Sequence, residues 1–194
     1  MKIDKDIRNY GKEHNVPITL DDTLCFLIEN INKNNCKQIL EIGTAIGFGS
    51  ISIAENTQCD HIDTVEIDEE RYNLANQNIK KKNLENKITT YLIDAKEYLE
   101  NCQKRYDLVY LDGPKGQYVN YLPLIKNILN PNGIIFADNL YFHGMVTGKI
   151  PTTKGCRAMI KGLKNYIDEI TKNSQYNTVI YDIGDGVGVT TVRN

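Results

Sequence analysis

The sequence has no long apolar segment, no large charge excess and no paired cysteine motif. No apolar run comes near the ~20 residues needed to cross a bilayer, and no apolar stretch of a signal peptide follows the charged residues behind Met1. The formal charge is only −2, so bulk electrostatics does not recruit a polyanion. The five cysteines form no Cys-x-x-Cys pair, which argues against a zinc or redox site and favours reduced thiols. We expect a cytoplasmic protein that does not enter a membrane.

The length of 194 residues fits one domain, which we place at 1–194 with a helical cap segment over 1–35. Predicted strands cover 37–42, 61–66, 88–93, 106–111, 134–137, 177–183 and 187–192, and predicted helices cover 47–55, 69–82, 95–102, 117–129 and 155–172. The first five strands alternate with helices and are apolar on both faces, which indicates a parallel sheet with helices on each side. The short turn Gly184-Asp185-Gly186 predicts that the last two strands form an antiparallel hairpin at the sheet edge.

A glycine-rich turn follows the first predicted strand, over 41–49. It fits neither the dinucleotide fingerprint nor the phosphate-binding P-loop, because the required glycines and the Gly-Lys-Ser/Thr sequence are missing. The spacing of Glu41, Gly43 and Gly47 instead resembles the first motif of class I S-adenosylmethionine-dependent methyltransferases. Glycines there would let the backbone approach the methionine portion of the cofactor closely, and Glu41 would lie near that portion, directly or as an orienting group. The alternative is a tight strand-to-helix turn that binds no ligand.

Acidic side chains stand where the second and third predicted strands end. A carboxylate at Glu66 could accept both ribose hydroxyls of a nucleoside, whereas Asp68 more plausibly caps the next helix. Asp94 or the backbone amide beside it, at Ala95, could contact the adenine edge, although an acid in front of a helix is often only an N-cap.

Two carboxylates and an amide follow the fourth and fifth predicted strands, at Asp112 and at Asp138-Asn139. Because the carboxyl ends of parallel strands face a common crevice, we expect these oxygens to converge and to bind a hard divalent cation. Each residue alone also has a structural interpretation, since Asp112 could cap a helix and Asp138-Asn139 could form a turn.

Taken together, these motifs resemble the divalent-cation-dependent O-methyltransferases, a family that includes the catechol and caffeoyl-coenzyme A types. The matching stretches are Leu40–Thr44, Val65–Asp68, Leu111–Tyr118 and Ala137–Asn139. A finer resemblance, to the bacterial branch that methylates 5-hydroxyuridine at the tRNA wobble position, is carried by 115–118, 138–146 and 183–189. The likeness covers nearly the whole chain from Val16. One departure is Gly113-Pro114, where that branch has two alanines, and it puts the conformation of this loop in doubt.

The resemblance implies a Rossmann-like class I methyltransferase fold, a homodimer, and Mg²⁺ bound by Asp112, Asp138 and Asn139. Lys115 would take the proton from the acceptor hydroxyl, with Asp112 beside it in the catalytic site. The implied S-adenosylmethionine contacts are Glu41, Gly43, Gly47, Ser50, Glu66, Asp94, Ala95 and Asp112.

The residues expected to contact the acceptor lie on a basic helix face and in the loop after the fifth predicted strand. Arg157, Lys161 and Lys164 fall on one face of a predicted helix and could meet the phosphates of a tRNA anticodon loop, or they could be an ordinary solvated face. Tyr141 or Phe142 could stack on an extruded base, and His143 could contact the acceptor or only stabilise its loop. Besides tRNA 5-hydroxyuridine, two alternatives stay open: a small catechol or hydroxycinnamoyl acceptor, and a non-catalytic protein that binds S-adenosylmethionine.

Overall fold

A single mixed sheet runs through the computed structural model, which describes residues 1–193. Its strands are β1 (Gln38–Ile42), β2 (His61–Glu66), β3 (Ile88–Leu92), β4 (Tyr106–Leu111), β5 (Leu129–Ala137), β6 (Tyr176–Tyr181) and β7 (Val187–Val192). The helices of these residues are α1 (Lys5–Glu13), α2 (Asp21–Lys33), α3 (Phe48–Asn56), α4 (Glu69–Lys81), α5 (Ala95–Asn101), α6 (Tyr118–Ile128) and α7 (Arg157–Lys172), with short 3₁₀ turns at Lys115–Gln117 and Lys154–Cys156. None of these helices is long and apolar enough to cross a membrane.

The strands lie in the order β3-β2-β1-β4-β5-β7-β6. The first five are parallel, and β7 pairs antiparallel with both β5 and β6. This confirms the predicted seven-stranded sheet with its C-terminal hairpin. The chain builds the sheet outward from β1 to β3 and then returns to start again at β4, so the crevice of this topology lies where the carboxyl ends of β1 and β4 meet.

Hydrophobic side chains cover both faces of the sheet, as predicted from strands that are apolar on each side. One buried cluster joins the sheet to α5, α6 and α7. The other joins it to α1, α2, α3 and α4. The N-terminal helices therefore pack on the same face as α3, and the link between them, residues 14–20, runs toward the carboxyl ends of the strands.

Local signals fixed some element boundaries better than others. Asp68 caps α4, as predicted, because its side chain accepts a hydrogen bond from the backbone N–H of Arg71 at 2.9 Å. In contrast, β5 begins at Leu129, five residues before the predicted strand, because Leu129 pairs with Tyr106 of β4 ahead of a register shift. The sequence Asn130–Gly133, which separates the predicted helix over 117–129 from the predicted strand over 134–137, lies inside this irregular part of the strand.

Candidate active site

A cavity of about 1020 Å³ opens at the carboxyl ends of the five parallel strands. Many of the residues singled out from the sequence line it: Gly43, Glu66, Asp94, Ala95, Asp112, Lys115, Asp138, Asn139 and His143. The glycine turn, the acids of β2 and β3, and the expected cation ligands therefore share one space, as the topology requires. Glu41, Gly47, Ser50, Tyr141 and Arg157 are not among the lining residues.

The glycine turn brings β1 into direct contact with the end of β4. Gly43 has a φ of +107°, and its N–H donates to the carbonyl oxygen of Val65 at 3.0 Å. A Cβ at this position would lie 2.7 Å from the carbonyl oxygen of Asp112. Only glycine fits this conformation and this spacing, so the turn and the Asp112 loop are held together. Gly47, with a φ of +81°, precedes α3 and packs against Ala75 instead of facing the cavity.

The carboxylate of Glu66 is fixed in place at the tip of β2. One oxygen accepts the N–H of Ala45 at 2.8 Å, and the other accepts the N–H groups of Ile67 and Asp68, each at 3.0 Å. The side chain lines the cavity although the residue is only 8% exposed. Each carboxylate oxygen has more than one acceptor site, so Glu66 can still accept hydroxyl groups from a ligand.

Glu41 lies beneath the cavity rather than in it. It is 1% exposed, and its Oε2 accepts the hydroxyl of Thr64 at 2.6 Å. Burial raises the pKa of Glu41 to about 8, against the opposing effect of the Thr64 hydrogen bond. Of its two predicted roles, the geometry matches the orienting one. Ser50 is also buried, and its hydroxyl donates to the carbonyl of Gly47 at 3.3 Å.

Asp112 is held from two sides. Its Oδ1 pairs with Nζ of Lys115 at 2.8 Å. Its Oδ2 accepts from the hydroxyls of Tyr110 at 3.2 Å and of Thr19 at 3.3 Å. These contacts occupy both oxygens, and the helix-capping role that the sequence left open for Asp112 is not seen.

Asp138 is the most buried acid of the cavity wall. It is 1% exposed; its Oδ1 accepts the N–H of Asn139 at 2.6 Å, while its buried Oδ2 has no hydrogen-bond partner among residues 1–193. Burial, followed by the charge of Asp112, raises the pKa of Asp138 to about 7, although the Asn139 N–H and Lys115 act in the opposite direction. A buried carboxylate oxygen without a donor is costly unless something positive binds it.

The oxygen atoms around this unpaired carboxylate fit a hard divalent cation. Asp112 and Asp138 could supply carboxylates, and Asn139, whose φ of +58° places it in the left-handed region, could supply an amide oxygen. No group of three or more His, Cys, Asp or Glu side chains in the described part of the chain could hold a metal ion. A cation here would therefore depend on the amide as its third protein ligand.

Of the residues predicted to contact the methyl acceptor, only some line the cavity. His143 lines the cavity, and its backbone N–H donates to the carboxylate of Asp185 at 2.8 Å, which matches the loop-stabilising alternative. The ring of Tyr141 packs under Gly186, and Arg157 is exposed at the first turn of α7. Asp94 accepts the N–H groups of Lys96 and Glu97, so it caps α5 and lines the cavity at the same time.

Two parts of the cavity wall were not predicted from the sequence. The link before α2, residues 17–20, lines the cavity, although none of its residues was predicted to belong to the site. The cap position of α2 is Leu20, which makes no side-chain hydrogen bond, so Thr19 is available to other partners. Asp185 of the hairpin turn also lines the cavity, and its position in a two-strand turn gave no signal of this.

Known proteins share the sequence pattern and the fold. A family model described as O-methyltransferase matches residues 4–193. The caffeoyl-CoA O-methyltransferase of Medicago sativa is 25% identical over 198 aligned residues, and the alignment covers 95% of this chain and 79% of that protein. A protein of Staphylococcus aureus, provisionally named a caffeoyl-CoA O-methyltransferase, superposes with a TM-score of 0.90 at 30% identity, over 97% of this chain and 91% of its own. An O-methyltransferase of Bacillus cereus, solved in complex with SAH, gives 0.84 at 19% identity, over 97% and 90%.

Proposed function

Since this chain belongs to the O-methyltransferase family, we propose that it methylates one of two neighbouring oxygens of its acceptor in a reaction that requires Mg²⁺. The chain is an S-adenosylmethionine-dependent O-methyltransferase, which argues against the non-catalytic alternative. The observation that supports the metal requirement is the convergence of Asp112, Asp138 and Asn139 with Lys115 in one cavity, where one buried oxygen of Asp138 has no partner.

The cofactor would bind on the side of the cavity formed by β1, β2 and β3. Glu66, held by three backbone N–H groups, would accept the ribose hydroxyls. The backbone near Gly43 would contact the methionine portion, and Asp94 with Ala95 would contact the adenine. Glu41 acts through the turn, as an orienting group, because it lies outside the cavity wall.

The metal and the acceptor would bind on the side of the cavity formed by β4 and β5. Asp112, Asp138 and Asn139 would hold Mg²⁺, which supplies a Lewis acid that favours the ionised form of an acceptor hydroxyl. Lys115 faces the same space, and its Nζ, in the neutral amine form, would take the proton from that hydroxyl. The cavity walls hold the acceptor oxygen beside the methyl donor, and this positioning supplies much of the rate.

The first candidate acceptor is 5-hydroxyuridine in a tRNA anticodon loop. Its hydroxyl and adjacent carbonyl oxygen form the required neighbouring pair. Arg157, Lys161 and Lys164 lie exposed along α7, and none of them takes part in an ion pair within residues 1–193. Free cationic side chains on one helix face suit the phosphates of a nucleic acid.

The second candidate is a small catechol or hydroxycinnamoyl compound, whose two phenolic oxygens form an equivalent pair. The observation that favours it is the name of the Medicago sativa relative, a caffeoyl-CoA O-methyltransferase that aligns with 95% of this chain. Such an acceptor would fit inside the cavity without the exposed face of α7.

Transfer of a labelled methyl group separates the two candidates. We expect the purified protein to label total tRNA from a strain that lacks its gene, with a requirement for Mg²⁺. Labelling of a catechol panel but not of tRNA would remove the first candidate in favour of the second, and no labelling of either would contradict both. The Asp138→Ala variant should lose metal-dependent turnover but keep most of its cofactor affinity; loss of cofactor binding would show that the two halves of the site are wrongly assigned.

The role of the basic helix face has its own test. The double variant Lys161→Glu/Lys164→Glu should lower the rate on tRNA by about tenfold or more at moderate salt, because each phosphate contact contributes to affinity. The rate on a catechol should not change. The matched control is Lys80→Glu/Lys81→Glu, which reverses two exposed charges at the end of α4 that do not line the cavity. An equal loss in the control would show that general charge, not this face, is responsible.

A further inference from the structure

Two buried hydroxyls contact the carboxylate of Asp112 from the side opposite Lys115. Tyr110 is 0% exposed and Thr19 is 5% exposed, and neither belongs to the predicted catalytic set. Thr19 Oγ1 and the Tyr110 hydroxyl lie 2.9 Å apart, and both reach Oδ2 of Asp112. The chain brings together residues that are 91 positions apart, so this contact is a product of the tertiary fold.

The position of Tyr110 is determined by the strand. In extended backbone, side chains two residues apart project to the same face, so Tyr110 at the end of β4 lies directly below Asp112. The ring packs edge-on against Phe136 of β5, with centroids 5.8 Å apart, which fixes the direction of the hydroxyl. Tyr110 itself does not line the cavity, and it reaches the site only through Asp112 and Thr19.

Thr19 is held from the N-terminal side. Its carbonyl oxygen accepts from the guanidinium of Arg8 at 3.4 Å, and Arg8 also pairs with Asp21 and stacks over the ring of Phe48 at 4.5 Å. Arg8 therefore ties the link between α1 and α2 to α3, and the Thr19 hydroxyl contacts Tyr110 and Asp112.

The carboxylate of Asp112 must accept a hydrogen bond from at least one of the two hydroxyls. Each hydroxyl carries one hydrogen, so at most two of the three contacts among Thr19, Tyr110 and Asp112 are hydrogen bonds at one time. In every arrangement with two hydrogen bonds, the carboxylate accepts at least one of them. Either hydroxyl can replace the other as its donor, and only removal of both leaves Oδ2 without one.

We infer that Tyr110 and Thr19 are positioning residues that fix the orientation of the Asp112 carboxylate for cation binding. With Oδ2 held by the hydroxyls, Oδ1 is the oxygen left for a cation, and Nζ of Lys115, a residue of the cavity wall, lies 2.8 Å from it. Partners that orient a metal-binding carboxylate commonly change metal affinity by about 10–100-fold when they are removed. This inference rests on the proposed magnesium site and adds two residues to it.

The test is the dissociation constant of Mg²⁺, measured by titration calorimetry with S-adenosylhomocysteine present and no acceptor, so that no turnover occurs. Tyr110→Phe and Thr19→Val should each weaken Mg²⁺ binding by about threefold, because the other hydroxyl substitutes. The double variant should weaken it by at least about tenfold, more than the product of the single effects. Thr19→Ser, which keeps the hydroxyl, should bind Mg²⁺ like the unmodified protein.

The matched control is Tyr98→Phe, which removes another buried tyrosine hydroxyl, one that pairs with Tyr106 at 2.7 Å and does not line the cavity. It should leave Mg²⁺ affinity unchanged. Unchanged affinity in the double variant, together with loss of binding in Asp138→Ala, would overturn the positioning role while the proposed metal site stands. Unchanged binding in Asp138→Ala would overturn the metal site and the inference with it. If the double variant does not fold, equal Mg²⁺ affinities of Tyr110→Phe and Tyr98→Phe would overturn the inference.

Discussion

The buried carboxyl of Asp138 should make the metal-free protein less stable as the pH rises. Burial and the neighbouring Asp112 raise its pKa from the ordinary 3.8 to about 7 in the folded state. The folded chain therefore binds this proton more tightly than the unfolded chain does. The stabilising contribution is complete below pH 3.8 and is lost as the pH rises through about 7, which is opposite to the usual behaviour of an acid in a salt bridge.

The magnitude follows from the size of the rise in pKa. At 1.36 kcal/mol for each pH unit, a pKa near 7 corresponds to a loss of roughly 4 kcal/mol when the group is fully ionised in the folded state. Local movement and entry of water would relieve part of this, so we expect roughly 2 kcal/mol. Asp138→Asn removes the charge. Its stability relative to the unmodified protein should therefore increase by that amount as the pH rises from 5 to 8.

The assay is urea unfolding of both proteins at several pH values, without metal or cofactor. The quantity of interest is the difference in the free energy of unfolding between Asp138→Asn and the unmodified protein. Asp60→Asn, at an exposed aspartate, serves as the control and should show a constant difference. A constant difference for Asp138→Asn across pH 5–8 would refute the reasoning. Saturating Mg²⁺, at about 100 times its dissociation constant, should add about 2.7 kcal/mol to the unmodified protein only.

Three further predictions concern single residues. Glu66→Ala should weaken binding of S-adenosylhomocysteine by about tenfold or more in calorimetry, since the ribose would lose its acceptor; an unchanged dissociation constant would count against its ribose role. Lys115→Met should lower the single-turnover rate by about a hundredfold or more at unchanged cofactor affinity, and near-normal rates would exclude it as the base. Gly162→Ala should cost about 1–3 kcal/mol of stability, because its Cβ would collide with the carbonyl oxygen of Gly116, whereas Gly155→Ala, with open space around it, should be nearly neutral in urea unfolding.

The parts of the site that could be predicted from sequence are those fixed by strand ends. In a parallel sheet every strand delivers its carboxyl end to one edge, so Asp112, Asp138 and Asn139 could be expected together, whereas Lys115 was predicted only from the family resemblance. The place of the glycine turn in the site could be predicted for the same reason, because Gly43 directly follows the end of β1. The homodimer, the single-domain boundary and the cytoplasmic location stay predictions.

The parts that could not be predicted depend on packing between distant segments. Thr19 precedes a helix, and its local signal is that of a cap; only the fold shows that Leu20 takes the cap position and that the hydroxyl turns toward Tyr110. Glu41 matches a cofactor motif, but its side chain is drawn under the sheet edge by Thr64. The early start of β5 follows from the pairing of Leu129 with Tyr106 of β4, and the sequence of residues 129–133 alone does not indicate this pairing.

The charge of the cavity restricts how either acceptor can bind. Its wall contains five carboxylates, from Glu66, Asp94, Asp112, Asp138 and Asp185, against three lysine and arginine side chains. Such a surface attracts a sulfonium cofactor and a divalent cation, and it repels phosphate. A tRNA acceptor must therefore insert only an uncharged base and leave its phosphates outside, where the exposed cations of α7 lie. Methylation of tRNA should then weaken steeply with salt, whereas methylation of a catechol should not, and equal salt dependence for both would show that α7 has no part in acceptor binding.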